Sequence, residues 1–194
     1  MTFRRCTRCV MPVTRPGTHF HETGECSACA THARRSEIDW DARKLDLLQI
    51  LKSAKHSVEG FNVLVPSSGG KDSTYQVLSL IEMGARPLVV TATTCMLSSV
   101  GRANIDNLAR FATTLEVTPN RTVRSVLNRL SLELVADPSI PEHFSIFSTP
   151  FRIAARMGIG LCVYGENSQA AYGGPPGTET ATRKTRQWIH ELGG

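Results

Sequence analysis

No apolar run in this sequence approaches the ~18 residues a membrane helix needs; the longest, around Pro87–Val90, is strand-sized. The basic start, MTFRRC, has no apolar stretch behind it, so a secretory leader is not expected. Internal repeats and low-complexity tracts are missing too, which argues against a solenoid or a disordered tail. Together these absences point to a globular cytoplasmic chain. Neither sign of charge is in large excess: 22 Lys and Arg against 17 Asp and Glu leave +5 over 194 residues. The basic residues Arg4, Arg5, Arg34, Arg35, Arg183, Lys184 and Arg186 are scattered, as on a solvated surface. A polyanion such as nucleic acid or a nucleotide sugar is the sharper alternative, and nucleic acid is not the expected partner.

What is present begins with cysteine. Cys6 and Cys9 form one C-x-x-C and Cys26 and Cys29 another, with 16 residues between the pairs. Two such knuckles at this separation converge four thiolates on one ion, so a structural zinc site is expected. Reducing conditions disfavour disulfides, and a redox C-x-x-C usually stands alone. Four thiolates fill the coordination sphere, leaving His19, His21 and His32 unneeded as ligands. Cys162, inside IGLCVYG, reads as a small buried thiol, and Cys95 as the one cysteine placed to react.

Periodicity orders the rest. Residues 1–36 form the knuckle segment, 37–58 a linking helix and 59–194 an α/β domain. The helix over Asp39–Lys55 carries a stripe of Trp40, Leu45, Leu47, Leu48 and Leu51. Strands are expected at FNVLV (61–65), RPLVVTAT (86–93), LEVT (115–118) and GLCVYGEN (160–167). Helices are expected over 73–83, 100–113, 122–135 and 150–159. Alternation of this kind means a doubly wound parallel sheet, with ligands beyond the carboxyl ends of its strands. Three polar stretches follow strands there, at 66–74, 91–99 and 165–174.

The first of these reads SSGGKDST. It is not a Walker loop, because Gly69 and Gly70 are adjacent and Asp72 separates Lys71 from Ser73; the dinucleotide pattern G-x-G-x-x-G also fails. A phosphate group still suits it. Glycines admit an anion to the backbone amides, and the following helix offers free N–H groups and the positive end of its dipole. Ser68 and Ser73 can donate, and Lys71 adds a charge. Asp72 fits beside phosphate if it holds Mg²⁺ or orients the loop. A plain Gly-Gly turn with a Ser/Asp cap is the alternative.

The string SGGKDS resembles the signature of the PP-loop ATP pyrophosphatases, which cleave ATP between its α and β phosphates. A wider set resembles the N-acetyl sugar amidotransferase family of lipopolysaccharide and flagellar-glycan biosynthesis. It comprises CTRCVMP with a second C-x-x-C, SSGGKDSTYQV, NIDNLARF and YGENSQAAYGG. That resemblance runs from Cys6 to the RQWIHELGG end, over what would be the N-terminal half of the family's length; Tyr164–Gly174 carries it most specifically. Family members often carry a cysteine–histidine cluster where this chain has DPSIPEHFSIF, with His143 and no cysteine.

The resemblance implies an adenine-nucleotide α-hydrolase-like fold, with ATP, Mg²⁺ and structural Zn²⁺ as cofactors. It implies a nucleotide site of Ser67, Ser68, Gly69, Gly70, Lys71, Asp72, Ser73 and Thr74 with Thr91, Gly165, Glu166 and Asn167, in which Lys71 and Asp72 serve catalysis. Thr91 reads equally as an ordinary strand residue, and Glu166 and Asn167 as a helix-capping loop. The implied reaction adenylates an acetamido group on a nucleotide-activated sugar and converts it to acetamidino with ammonia. A partner glutaminase would supply that ammonia, since the sequence shows no glutaminase Cys-His arrangement. RNA thiolation, with Cys95 as sulfur carrier, and a non-catalytic ATP-binding module are the alternatives. Homo-oligomerisation is compatible with any of the three.

Overall fold

The computed structural model describes residues 3–14, 18–93 and 97–166. Its contacts divide the chain into two compact units: Ala42–Gly165, and Met1–Asp41 together with the residues from Glu166 onward.

In the N-terminal unit two short antiparallel bridges, Arg5 to Pro12 and Phe20 to Cys26, bend the chain back on itself. Helix α1 (Ser27–Ala33) follows at once and runs into a 3-10 turn, Arg34–Glu37. Sequence periodicity gave no sign of either, because both are too short to show one.

The second unit is an α/β layer structure. Helix α2 (Trp40–Ser53) enters it, and strands β1 (Val63–Pro66), β2 (Pro87–Ala92) and β3 (Thr113–Val117) form a parallel sheet in the order β1-β2-β3. Helices α3 (Lys71–Glu82) and α4 (Ser99–Leu108) cross over between them; α5 (Arg121–Val135) and α6 (Ile140–Met157) then return the chain to the far side of β1. There Leu64 and Cys162 form one further parallel bridge. Alternate strand residues face opposite layers. Val63, Val65 and Val89 pack with Leu51 of α2, Val77 and Leu80 of α3 and Leu108 of α4. Leu64, Leu88 and Val90 pack with Ala154 of α6 and with Ile159. Each such buried aliphatic side chain is worth ~1.5–3 kcal/mol. The sheet is therefore covered on both faces, as the alternation predicts, and the strand order reverses between β1 and the segment at Cys162. Ligand crevices open at such a reversal.

Several boundaries differ from the periodic reading. Phe61 and Asn62 are not in β1. Phe61 is held in a turn by Ser57, whose Oγ accepts from its N–H at 3.1 Å, and the Asn62 side chain accepts from the Arg86 N–H at 2.8 Å. Helix α4 stops at Leu108, five residues early, and Thr113 and Thr114 join β3 instead, where β-branched residues fit the pleat. Helix α6 starts at Ile140 rather than at Pro150, which lies buried inside it. In α2 only Leu51 of the expected stripe is fully buried, while Trp40 and Leu45 are 61% and 60% exposed.

The strand expected at 160–167 shrinks to the single bridge at Cys162, and Pro66 explains this. Leu64 donates its N–H to Leu161 and accepts from Val163, so the next residue of β1 facing that way is Pro66. Proline has no N–H, and the ladder ends. The expected helices at 73–83 and 122–135 hold, each beginning slightly earlier. Among the described residues no helix is long and apolar enough to cross a membrane.

Candidate functional site

The loop after β1 is closed by its own serines. Ser67 is buried; its Oγ accepts from the Gly69 N–H at 3.0 Å and shares a hydrogen bond with Ser73 Oγ at 2.8 Å. Ser73 Oγ also lies 3.2 Å from the Gly70 carbonyl, to which it can donate. These two hydroxyls therefore staple the loop, whereas Ser68 is exposed and free to meet a ligand. The adjacent glycines differ as well. Gly69 is buried with φ +76°, and a Cβ there would lie 3.0 Å from the backbone nitrogen of Ile105 and 3.2 Å from the carbonyl carbon of Asn104, both on α4. Gly70 is exposed at an ordinary φ of −70°, the N-cap position of α3.

A glycine N-cap leaves α3 without a side-chain cap. The N–H groups of Lys71, Asp72 and Ser73 thus begin a twelve-residue helix with no partner from that residue. The Thr74 N–H is satisfied by the Gly70 carbonyl. Lys71 and Asp72 stand exposed on this first turn, with Lys71 Nζ 2.6 Å from Asp72 Oδ1. An anion is the natural occupant of such a helix start.

At the end of β2, Thr91 is only 3% exposed and its hydroxyl has no hydrogen-bond partner among the described residues. A strand threonine kept for packing alone would leave that oxygen unsatisfied at a cost of about 1–3 kcal/mol. Gln76 of α3, which the sequence reading passed over, has a buried Oε1 with no partner among the described residues. A Cβ on Gly165 would lie 3.6 Å from that oxygen, so Gly165 comes against α3 beside the loop. Just before it, Tyr164 stacks on Phe151 at 5.4 Å and on Phe147 at 6.3 Å. Burial, and then the neighbouring Cys162, push its phenol up to about 12. Glu166 is exposed. Asn167, Cys95 and the basic residues at 183–186 lie outside the described residues.

These features fit a phosphate-bearing ligand. The uncapped turn, with exposed Ser68 and Lys71, suits phosphates, and the orphaned Thr91 oxygen is in want of a polar partner at the same sheet edge. Asp72 could give one carboxylate ligand to Mg²⁺, an ion that takes its other ligands from phosphate and water.

The four cysteines come together in the N-terminal unit, all Sγ atoms within 4.8 Å of one another. Cys6 and Cys29 are 3.8 Å apart, and Cys9 and Cys26 are 3.7 Å apart. Thiolates at ~2.3 Å around a tetrahedral zinc are separated by about 3.8 Å, so the set fits that ion. Sulfur charge is anticipated by the backbone: the N–H groups of Arg8 and Cys26 both donate to Cys6 Sγ. Burial opposes ionisation of Cys6, but N–H donors at Cys9, Arg8 and Cys26 bring its thiol down to about 6. Burial and the other three sulfurs push Cys29 up to about 12. A divalent cation among the four sulfurs would offset the repulsion between thiolates. None of the described histidines joins the cluster.

Fold and sites together define a doubly wound α/β protein with a strand–loop–helix turn that ends in an uncapped helix start, and with a four-thiol cluster that can hold zinc. No protein-family model and no curated protein matches the chain. Among solved structures, a similar chain is the predicted subunit of a tRNA methyltransferase from Methanocaldococcus jannaschii, with 19% sequence identity and a TM-score of 0.41. The match covers 67% of this chain and 60% of that one, a level of likeness that assigns no activity.

Proposed function

We propose that this chain is an ATP pyrophosphatase of the PP-loop type that activates its substrate by adenylation. The observation that supports this most is the start of α3, an uncapped helix behind a loop already closed by Ser67 and Ser73. Lys71 adds a positive charge there, and Asp72 would hold Mg²⁺, which offsets charge on the departing pyrophosphate. Thr91 and Gly165 complete the nucleotide site in this reading.

The substrate we favour is an acetamido group on a nucleotide-activated sugar, from the motif resemblance over Cys6 to the RQWIHELGG end. Its carbonyl oxygen attacks the α-phosphorus, the α–β phosphoanhydride bond breaks and pyrophosphate leaves. Ammonia adds to the imidate carbon, the C–O bond breaks, AMP departs, and an acetamidino group remains. Ammonia would come from a glutaminase partner, in the cytoplasm where the zinc thiolates stay reduced.

The test uses the zinc-loaded full chain with ATP, ammonium salt and nucleotide-linked acetamido sugars, read by phosphorus NMR. AMP and pyrophosphate are expected; ADP would sink the PP-loop assignment. Replacing the sugar and ammonia by tRNA and a sulfide donor tests the thiolation alternative, which wins if only that mixture yields AMP. ATP bound but cleaved in neither mixture leaves a binding module.

A further inference from the structure

Helix α5 is turned against its own composition. It packs on α6, and the residues it takes out of water are polar: Arg124 is buried, and Asn128 and Ser131 are half-buried. Val123, Val126, Leu127, Leu130 and Leu134 share another face, and each is at least 40% exposed. A surface helix ordinarily does the reverse, laying its apolar stripe on the core. An apolar stripe kept outward marks a surface that meets another molecule.

The stripe itself says which molecule. Val123, Leu127, Leu130 and Leu134 recur at intervals of four, three and four residues, the a/d spacing of a helix that pairs with another helix, and Val126 lies beside them. That order of intervals reads the same in both directions. A second copy of α5, laid antiparallel about a two-fold axis between Leu127 and Leu130, therefore sets Val123 opposite Leu134 and Leu127 opposite Leu130. Each pairing occurs twice, as an isologous contact requires. Charge selects the same direction. The first turn holds Arg121 and no acidic residue, and the last turn holds Glu133 and no basic one. Antiparallel pairing brings the basic start of each helix to the acidic end of the other and opposes their dipoles, whereas parallel pairing sets like against like.

The size fits as well. At their exposures the five side chains leave roughly 500 Å² of apolar surface open, about three fifths of the ~800 Å² that each partner of a stable dimer covers. About three fifths is also the apolar share of such interfaces, the remainder being polar rim.

We propose that the outward face of α5 is the contact between two copies of this chain, an antiparallel helix pair whose two-fold axis passes between Leu127 and Leu130. The pairing is independent of what the loop at 67–73 binds.

The experiment is sedimentation velocity on the zinc-loaded full chain, from micromolar to several hundred micromolar. The wild type should pass from the mass of one chain to that of two. Leu127→Glu and Leu134→Glu each place two like charges in the seam, and each should weaken the dimer tenfold or more while keeping the wild-type circular dichroism and urea midpoint. If Leu127→Glu does not fold, Leu134→Glu, at the most exposed position of the stripe, decides. In a mixture of ¹³C-labelled and unlabelled chains, filtered NOEs should join Val123 methyls of one copy to Leu134 methyls of the other. A wild type that stays at the mass of one chain throughout would overturn the proposal, as would a dimer that survives both substitutions. NOEs from Val123 to Val123 across the pair would overturn the antiparallel arrangement. Contacts from the stripe to residues 167–194 of its own chain would give that face to the chain itself and overturn the dimer.

Discussion

Gly69 and Gly70 are neighbours with separate jobs. Gly69 needs both its left-handed φ and the absence of a Cβ, since α4 backbone lies 3.0 Å from where that atom would be. Gly69→Ala should cost about 2–4 kcal/mol, from the left-handed penalty plus overpacking. A urea melt would read it, together with a loss of ATP binding. Gly70 has an ordinary φ, and the nearest atom to its missing Cβ is Ser68 Oγ at 3.4 Å. At this N-cap, where alanine is poorer than glycine, Gly70→Ala should cost about 1 kcal/mol or less, and Gly70→Val should obstruct the phosphates and raise the ATP Kd. Equal destabilisation by Gly69→Ala and Gly70→Ala would contradict this division. In the sequence both glycines look like openings for an anion. Only the fold brings α4 against one of them, and likewise only the fold converts Ser67 from a ligand donor into a staple. Thr91 was legible as a candidate by its place at a strand end; that its hydroxyl lacks a partner among the described residues was not.

Among the elements, strands were legible as apolar runs and helices as periodic stretches, but their ends were set by partners distant in sequence. Asn62 leaves β1 because Arg86 claims its side chain, and the ladder at Cys162 stops because Pro66 faces it. Helix α6 was half legible. Pro150 reads as a helix start, yet the helix begins ten residues earlier behind a turn built by Asp137. That carboxylate accepts from both the Ser139 hydroxyl and the Ser139 N–H, at 2.6 and 2.8 Å. The Ser139 hydroxyl and then its N–H hold Asp137 below the usual carboxylate range, with a smaller contribution from His143. A depressed folded value means the stabilisation is present above the unfolded pKa, about 3.9, and disappears as pH falls through the folded one. Asp137→Asn should lower Tm at neutral pH, and the gap to wild type should close as pH falls below about 4. A gap that stays constant from about pH 7 down to about pH 2, followed by far-UV circular dichroism, would show that Asp137 charge does not matter here. The orientation of α5 was the least legible feature. Spacing alone would bury Val123, Val126, Leu127, Leu130 and Leu134 and would place Arg124 outside, the reverse of what the fold does.

For the whole molecule, the doubly wound sheet and the cysteine cluster were both written in the sequence, one as alternation and the other as spacing. The cluster and the sheet lie in separate compact units, and each has its own source of stability. About one zinc per chain is expected by elemental analysis. Chelation should release amide protection in residues 3–37 while β1, β2 and β3 keep theirs, because metal binding and folding are coupled only where the ligands are. A chelator that melts the sheet at the same concentration, or protein that folds fully with four free thiols and no metal, would contradict this.

The staple between Ser67 and Ser73 has a kinetic consequence. A loop that must first be ordered charges that ordering against each binding event and slows capture, whereas one closed beforehand does neither. If the loop takes ATP as proposed, association should be a single encounter, its observed rate rising in proportion to nucleotide concentration without reaching a plateau. Ser67→Ala, which opens the staple, would convert that straight line into a saturating curve.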